Sequence, residues 1–305
     1  MAISAPVPSD PEPEVISTRP SLAVVIPVRN GAATLPAQLR ALAEQRAAPP
    51  FEVIVSDNGS EDDLAGVLLA ARASWPNMSL RSVDSGERAG VSHARNVGAA
   101  AAHADAVAFC DSDDRVGPDW VRAMADGLAQ FDSVGGPLDE GTLNRPDARA
   151  QAHVKDALPV GLDFLPYPVG ANCGVRRSVW ADLGGFDEEF TQGAEEVDFF
   201  WRLQLGGHTL GFAPDAVVAY RHRADLRGTV RQAFKYGAAS CQLVAAHRGD
   251  VPPESLRAIL AAWLTLVIRL PLVVVPDRRP HFLRRVAHKA GQVVGSWRFR
   301  VLHLA

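Results

Sequence analysis

The sequence predicts an α/β fold in which a mostly parallel sheet is covered by helices on both faces. Three apolar runs, at residues 22–26, 51–55 and 106–110, have the length and composition of buried strands, and a more polar run lies at 79–83. Stretches with the helical spacing of apolar residues separate these runs. Continuous apolar strands that alternate with helices are typical of a parallel sheet that is buried on both sides.

The first two predicted strands each end at a polar turn. The strand at 22–26 is followed by a turn at residues 30–31 and by a helix with leucines on one face, for which Thr34 is a candidate N-cap. The strand at 51–55 leads to a turn at 57–60 and to a helix rich in leucine and alanine. Each unit is therefore predicted as a strand, a turn and a helix.

The next two strands follow the same order. The strand at 79–83 leads through Gly90 to a helix that begins near Ser92. That helix returns the chain to the fourth strand, which ends at Asp111. These four units take the chain from residue 22 to about residue 111.

Size and composition restrict the class of protein. The chain has 305 residues, 47% of them hydrophobic, which suffices for one large domain with an appendage. Its 3 cysteines are widely separated and form no CxxC pair, which argues against a disulfide framework and against a zinc site. We therefore expect a reducing compartment and a cytoplasmic location.

Charge is distributed unevenly along the chain. The net charge is −4, but the segment from Pro276 to the end holds seven basic residues and one acid. The preceding chain is correspondingly acidic, and a basic tail of this kind indicates contact with an anionic surface. Residues 1–20 contain five prolines and lack the basic start and apolar core of a signal peptide, so we expect a disordered leader.

Carboxylates follow two of the predicted strands. Asp111, Asp113 and Asp114 come directly after the fourth strand, and Asp57 follows the second. Ligands of open α/β sheets collect at the carboxyl ends of the strands, and clustered carboxylates there suit Mg²⁺ or Mn²⁺. The alternative is a solvated turn in which Asp113 or Asp114 caps a helix that begins near Pro118. Two acidic turns at the same edge of the sheet favour the binding site.

Several motifs occur together in the order and spacing of a known family. They are Val25-Ile26-Pro27-Val28-Arg29-Asn30, Ser56-Asp57-Asn58-Gly59-Ser60, Ala94-Arg95-Asn96-Val97-Gly98, Asp111-Ser112-Asp113-Asp114, Gly184-Gly185-Phe186-Asp187-Glu188 and Glu195-Glu196-Val197-Asp198. Over residues 21–235 the chain thereby resembles the family 2 glycosyltransferases. The resemblance implies the GT-A fold, a nucleotide-diphosphate sugar as donor and a divalent metal, Mg or Mn, held at an Asp-X-Asp motif.

The resemblance also implies which residues bind the donor. Asp57 would accept hydrogen bonds from the nucleobase, although an Asx turn before Gly59 would also explain it. Arg95 would contact the base or the diphosphate, Asp111 the ribose, and Asp113 the metal that bridges the diphosphate. The full implied set for the nucleotide sugar is Pro27, Asn30, Asp57, Arg95, Asp111, Ser112, Asp113 and Arg223.

In the resembled family the catalytic base lies in an acidic pair that here is Glu195-Glu196. Such a carboxylate would deprotonate the acceptor hydroxyl as it attacks the anomeric carbon, with inversion. The family has aspartate where this chain has Glu196, so the base is predicted as Glu196, with Glu195 as the alternative. A purely structural explanation is the favourable position of acids in the first turn of a helix, with an Asp198–Arg202 pair.

Three further positions are implied by the resemblance. His222, after a short strand-like run, would complete the metal shell together with Asp113, with Tyr220 as the alternative position and a surface or packing role as the other. Arg223 would contact the diphosphate. Asn172, in a middle region rich in proline and glycine, would lie near the acceptor.

Residues 236–305 are predicted as a helical, partly apolar and basic C-terminal region. The apolar stretch at 256–275 approaches the length of a membrane span but is interrupted by Arg269 and Pro271. Basic residues among apolar ones then follow, which fits peripheral contact with the cytoplasmic face of a membrane. The alternative is a helical hairpin packed on the catalytic domain. No nucleic-acid partner is expected.

The predicted acceptor is unspecified, and a lipid-linked or cell-envelope glycan would suit peripheral membrane contact. Two other functions compete with the transferase. One is a catalytically degenerate scaffold that binds nucleotide sugars, which the glutamate at position 196 favours. The other is an Asp-dependent phosphatase of the haloacid dehalogenase type, disfavoured because Arg115 stands where that family has Thr or Val.

Overall fold

The computed structural model describes residues 20–144, 156–222 and 225–305. The strands in these ranges are β1 (Leu22–Val28), β2 (Phe51–Asp57), β3 (Ser79–Asp84), β4 (Ala106–Cys110), β5 (Arg115–Val116), β6 (Ser133–Gly135), β7 (Leu138–Asp139), β8 (Val160–Gly161), β9 (Leu165–Pro166), β10 (Asn172–Arg176), β11 (Leu210–Phe212) and β12 (Val218–Ala219). The helices are α1 (Leu35–Ala43), α2 (Leu64–Ser74), α3 (Val91–Ala100), α4 (Trp120–Gln130), α5 (Arg177–Asp182), α6 (Glu195–Leu205), α7 (Leu226–Ala246), α8 (Leu256–Ile268) and α9 (Arg279–Phe299), with a short 3-10 helix at Leu270–Val274.

The central sheet has seven strands in the order β11-β6-β10-β4-β1-β2-β3. Strands β4, β1, β2 and β3 are parallel to one another, whereas β10 runs antiparallel to both β4 and β6. The register aligns Val28 with Asp57 and Asp57 with Asp84, so the carboxyl ends of β1, β2 and β3 are level. The predicted mostly parallel α/β sheet is confirmed, and the acidic turns lie at one edge.

Alternate residues of the strands face two separate hydrophobic layers. Val24, Ile26 and Val53 pack against α1, α2 and α4 on one face. Val25 and Ile54 pack against α3, α5 and α6 on the other. Each layer excludes apolar surface from water, which is the main force that stabilises the fold. Thr34 occupies the predicted N-cap position of α1, but its side chain makes no capping hydrogen bond there.

The C-terminal helices pack on the catalytic domain and on each other. Gly237 in α7 and Gly291 in α9 allow the two backbones to approach closely, because a Cβ at either position would meet a carbonyl of the partner helix. His247, which follows α7, donates a hydrogen bond of 2.9 Å from Nε2 to Asp198 Oδ1 of α6. Helices α7 and α9 therefore form a closely packed pair, with α8 between them in the sequence. The predicted boundary between residues 235 and 236 falls inside α7, which is one continuous helix.

Helix α8 differs from α7 and α9 in that most of its surface is exposed. Of its residues only Ile259 is buried and Leu266 is half-buried, whereas its other large apolar side chains are exposed. Within residues 20–144, 156–222 and 225–305, no helix combines the length and the apolar character needed to cross a bilayer.

Candidate functional site

A cleft of about 590 Å³ opens at the carboxyl end of β4. One wall is formed by Asp111 and Asp113 after β4, and another by Glu195 and Glu196 at the start of α6. The third wall comes from the segment after β12 and from α7. The topology therefore brings the two predicted acidic motifs, about 80 residues apart in the sequence, to one cavity.

The three aspartates after β4 form a group that could hold a metal ion. One carboxylate oxygen from each of Asp111, Asp113 and Asp114 lies within 4.8 Å of the others. The Asp114 side chain is buried, and its Oδ1 accepts a hydrogen bond of 2.7 Å from the Arg221 amide. Its Oδ2 is buried with no hydrogen-bond partner in the described ranges.

The electrostatics of this group also suit a cation. Burial, together with the charge of Asp111, raises the pKa of Asp114 to about 9. A cluster of hard carboxylate oxygens with an unsatisfied buried oxygen fits Mg²⁺ or Mn²⁺. The predicted helix-cap alternative is wrong, because α4 begins at Trp120 with Asp119 at its N-cap position.

Arg95 joins the two acidic walls. Its guanidinium is buried and donates from Nη1 to Glu195 Oε1 at 2.8 Å and from Nη2 to Asp111 Oδ1 at 3.3 Å. Burial alone would lower the pKa of Arg95, but the charges of Asp111 and Glu195 outweigh it and raise that pKa. Gly170 leaves room for the guanidinium, since a Cβ there would touch it. Arg95 therefore lines the cleft as the link between carboxylates.

The structure separates the two glutamates of α6. Glu195 is buried and bonded to Arg95, whereas Glu196 is half-buried and lines the cleft. Burial, and then the nearby charge of Glu195, raises the pKa of Glu196 to about 8. Ala194, with a left-handed φ of 68°, starts the helix and directs its first turn into the cleft. A carboxyl with a pKa near neutrality is suited to proton transfer.

The residues after β1 and β2 lie beside the cleft and do not line it. Asp57 Oδ1 accepts a hydrogen bond of 2.8 Å from the Ser60 amide, three residues on, so its side chain closes this turn one residue later than in the predicted Asx turn. Asn30 has a left-handed φ of 56° and its Oδ1 accepts from the Glu61 amide at 2.8 Å, which ties the two loops together. Pro27 is the residue before the last of β1, and the Ser112 side chain packs against Gly31. Pro27, Asn30, Asp57 and Ser112 are thus grouped at adjacent strand ends.

Asn172 is not at the cleft surface. It is fully buried in β10, where its Oδ1 accepts from Trp120 Nε1 at 2.8 Å. Its Nδ2 donates to the carbonyls of Pro137 and Ala216. The side-chain oxygen and nitrogen of Asn172 therefore both connect elements of the core. In place of the expected position beside an acceptor, the residue has a structural role.

His222 lines the cleft, but outside the aspartate group. Its Nε2 lies 3.3 Å from Glu140 Oε1, and its backbone amide donates to Asn144 Oδ1 at 2.8 Å. The described ranges contain a metal-ligand group of three aspartates in which His222 has no part. The role of His222 in a metal shell with Asp113 stays a prediction. Arg223 lies outside the described residues.

Sequence reasoning missed four cationic residues of the cleft, one of which, Arg88, forms ion pairs with Glu188 and Glu189. Arg221 holds the aspartate loop, donating from its amide to Asp114 and from Nε to the Asp113 carbonyl at 2.9 Å. Arg231 and Lys235 are exposed on α7 and also line the cleft. Their spacing of four residues places them on one helix face and was the available signal.

Comparison with known proteins decides the family. The model of the family described as Glycosyl transferase family 2 matches residues 23–183, which is more than half of the chain. The chain belongs to glycosyl transferase family 2. A second model, Glycosyl transferase family group 2, matches residues 106–276. The resemblance drawn from the motifs is confirmed, and the phosphatase alternative is left without support.

The curated relatives of this chain include two named glycosyltransferases. It is 31% identical over 280 residues to the pre-mycofactocin glycosyltransferase of Mycobacterium tuberculosis, covering 85% of this chain and 55% of that protein. It is 27% identical to the glycosyltransferase AglE of Haloferax volcanii, covering 95% of this chain and 92% of that protein. The chain thus spans about half the length of the mycobacterial relative.

A solved structure shows the same fold. The mannosyltransferase PcManGT from Pyrobaculum calidifontis, in complex with GDP-Man and Mn²⁺, superposes with a TM-score of 0.63 at 19% identity. The match covers 92% of this chain and 88% of that one. The predicted GT-A fold is confirmed.

Proposed function

We propose that this family 2 glycosyltransferase moves a sugar from a nucleotide-diphosphate donor to an acceptor hydroxyl, with inversion and with the help of a divalent metal. The observation that carries the proposal is that Arg95 joins the metal-suited aspartates to the acidic start of α6 in one cleft. Such an arrangement sets a cation site and a proton acceptor on different walls around a bound donor.

Asp111, Asp113 and Asp114 would hold Mg²⁺ or Mn²⁺, which when bound supplies positive charge against the charge that develops on the leaving diphosphate. Arg231 and Lys235 face the same cleft and would add to that charge. In the described ranges neither forms an ion pair or a side-chain hydrogen bond, so both are available to a phosphate. Arg221 would keep the aspartate loop in place.

Glu196 would act as the base. Its carboxylate accepts the proton of the acceptor hydroxyl while the hydroxyl oxygen forms a bond to the anomeric carbon from the face opposite the diphosphate. The bond from that carbon to the diphosphate oxygen breaks with its electron pair, so the configuration inverts. Glu196 is favoured for this role because the Glu195 carboxylate already accepts a hydrogen bond from the Arg95 guanidinium.

The donor base would bind at the ends of β1 and β2, beside the cleft. The Oδ2 of Asp57 takes no part in the hydrogen bond to the Ser60 amide, and Pro27 and Asn30 lie at the neighbouring strand end. The solved mannosyltransferase structure contains GDP-Man, and a structure of Staphylococcus aureus TarS contains UDP-GlcNAc. A purine and a pyrimidine donor are therefore both to be tested on this chain.

The proposal is tested by the configuration of the product. We expect that α-linked nucleotide sugars, incubated with the enzyme and Mn²⁺ without an acceptor, are slowly hydrolysed to the β-sugar, as followed by proton NMR before mutarotation. Initial release of the α-sugar would contradict inversion. A heat-inactivated sample controls for uncatalysed hydrolysis.

We also propose peripheral contact of the C-terminal region with the cytoplasmic face of a membrane. Leu260, Leu264 and Val267 lie on one face of α8 and are 60%, 59% and 67% exposed. At 13 residues, the helix is about 20 Å long, against about 30 Å for the hydrocarbon core, so it would lie in the interface. Arg257 and Arg269 flank this face and suit anionic lipids.

Vesicle sedimentation tests the membrane contact. We expect the protein to pellet with vesicles that contain phosphatidylglycerol and much less with phosphatidylcholine alone. The double variant Leu260→Ser/Leu264→Ser should lower the bound fraction severalfold, because each leucine contributes about 1.5–3 kcal/mol on full burial. Leu69→Ser, an equally exposed leucine of α2, is the matched control. Equal binding of both variants would contradict contact through α8.

A further inference from the structure

A second cavity, of about 440 Å³, adjoins the catalytic cleft at Glu196. The two cavities share Glu196 and Tyr220 among their lining residues, so the carboxylate proposed as the base faces both. Tyr167 lies on the side of the second cavity, where burial and then the charge of Glu196 raise the pKa of Tyr167 to about 12. A molecule held in the second cavity would therefore reach the base from the side away from the aspartates.

The walls of this cavity differ in chemistry from those of the cleft. Leu138, Leu162, Val197 and Leu243 line it, from β7, the β8–β9 hairpin, α6 and the C-terminal half of α7. Thr229, Gln232 and Ser240 also line the cavity and supply a few polar partners, but apolar and aromatic side chains are more numerous there and favour a ligand that loses apolar surface to water. The chemistry of the walls thus favours an acceptor with an aryl or alkyl body.

Arg284 of α9 supplies a positive charge to the same cavity. Its side chain is half-buried, and in the described ranges it forms no ion pair or hydrogen bond. Burial lowers the pKa of Arg284, which shows that its charge is poorly compensated. A guanidinium in this state pairs favourably with a carboxylate or a phosphate.

The surroundings of Arg284 strengthen the case for an anion. Arg284 also lines a larger neighbouring cavity, of about 850 Å³, between α7, α8 and α9. Arg269, Arg278 and Lys289 line that space, and Asp277 is the acid among its described lining residues. The local field is therefore positive and attracts negative groups toward Arg284.

We propose that the second cavity is the acceptor subsite, and that the acceptor has an apolar body with its reacting hydroxyl at Glu196 and an anionic group at Arg284. The inference rests on the proposed function, since it takes Glu196 as the base. It specifies the class of acceptor: an aryl or alkyl alcohol that carries a carboxylate or a phosphate.

The test uses three simple probes whose binding is titrated by saturation-transfer NMR. They are para-hydroxyphenylpropionate, its uncharged methyl ester, and methyl β-glucoside. We expect wild type to bind the carboxylate most tightly. Arg284→Gln should raise the dissociation constant of the carboxylate about tenfold, which corresponds to about 1.4 kcal/mol, and should leave that of the ester unchanged. Arg284→Lys should recover most of the loss.

Two variants control for the location of the probe. Arg279→Gln removes the same charge from an exposed position outside this cavity and should leave binding of the carboxylate unchanged. Ser240→Phe, which fills the cavity from α7, should abolish binding of both phenyl probes. The proposal is overturned if wild type does not bind the carboxylate, if the glucoside binds more tightly, or if Arg284→Gln and wild type bind the carboxylate equally.

A parallel titration of wild type with nucleoside diphosphates and Mn²⁺ separates this inference from the proposed function. Nucleotide binding without binding of the phenyl carboxylate would overturn the acceptor class alone. Binding of the carboxylate without any nucleotide would retain the cavity as a binding site for an apolar anion and overturn its assignment to an acceptor.

Discussion

Replacing Glu196 by glutamine is expected to lower the rate of sugar transfer by about 10²–10⁴-fold, the range that a general base contributes. The glutamine is nearly isosteric and retains the first turn of α6, but it cannot accept a proton from the acceptor hydroxyl. Donor binding should persist, because the aspartates and the strand-end residues are untouched. Turnover of donor under saturating nucleotide sugar, together with donor affinity by calorimetry, separates the two effects.

A surface variant provides the matched control for this change. Glu87→Gln removes the same charge from a side chain that is 82% exposed, and it should retain full activity. Unchanged turnover in Glu196→Gln would remove Glu196 as the base. Loss of donor affinity in parallel with turnover would instead indicate that Glu196 maintains the donor site.

The pH dependence of transfer follows from the same residue. Because the pKa of Glu196 is raised to about 8, its carboxyl is mostly protonated at pH 7 and becomes competent as a base as the pH rises. The rate should therefore increase with pH, about tenfold per unit well below the pKa, and level off above it. A cation bound at the aspartates would lower the midpoint, since a nearby positive charge favours the carboxylate. The rise should be absent from the residual activity of Glu196→Gln.

Replacing Arg95 by methionine is expected to destabilise the protein by about 3–5 kcal/mol, the loss typical of breaking a buried ion pair. Two carboxylates, on Glu195 and Asp111, would be left without the guanidinium that lies between them. The free energy of unfolding from urea denaturation measures the loss. Arg115→Met, at an exposed arginine after the aspartates, is the matched control and should change stability by less than about 0.5 kcal/mol.

A double variant isolates the electrostatic part of this effect. In Arg95→Met/Glu195→Gln the uncompensated charge of Glu195 is removed, so the loss of stability should be smaller than in Arg95→Met alone. A loss in Arg95→Met no larger than that of the control would contradict the role of Arg95 as the link between the two walls.

Local patterns in the sequence were sufficient for the fold. The apolar runs at 22–26 and 51–55 alternate with helical stretches along the chain, and this order predicts a parallel sheet. In the structure, successive residues of each run are buried against different helix layers. The acidic turns after β2 and β4 followed from the same pattern, because parallel strands end at one edge. These features depend on residues close together in the chain.

The partners of individual side chains could not be obtained in this way. Arg95 and Glu195 are 100 positions apart, and nothing in either motif indicates that they meet. Asn172 occupies a region without periodicity, and the family resemblance implied a place near the acceptor. In the structure its side chain bonds to Trp120 and Ala216, which are distant from it in the sequence. Asp114 was a candidate helix cap in the sequence, whereas in the structure its Oδ1 accepts a hydrogen bond from the Arg221 amide, 107 positions away. Periodicity reports which face a residue occupies and not what it contacts.

The most direct test of the account is metal-dependent binding of the donor nucleotide at the aspartates. Wild type, Asp113→Asn and the surface control Asp126→Asn are heated with a panel of nucleoside diphosphates, with Mn²⁺ or Mg²⁺ and with a chelator. A ligand at about 100 times its dissociation constant stabilises the native state by about 2.7 kcal/mol, which a melting curve resolves. We predict stabilisation by one nucleotide that needs the metal, is lost in Asp113→Asn and is retained in Asp126→Asn. Stabilisation that survives both the chelator and Asp113→Asn, or no stabilisation by any nucleotide, would contradict the account.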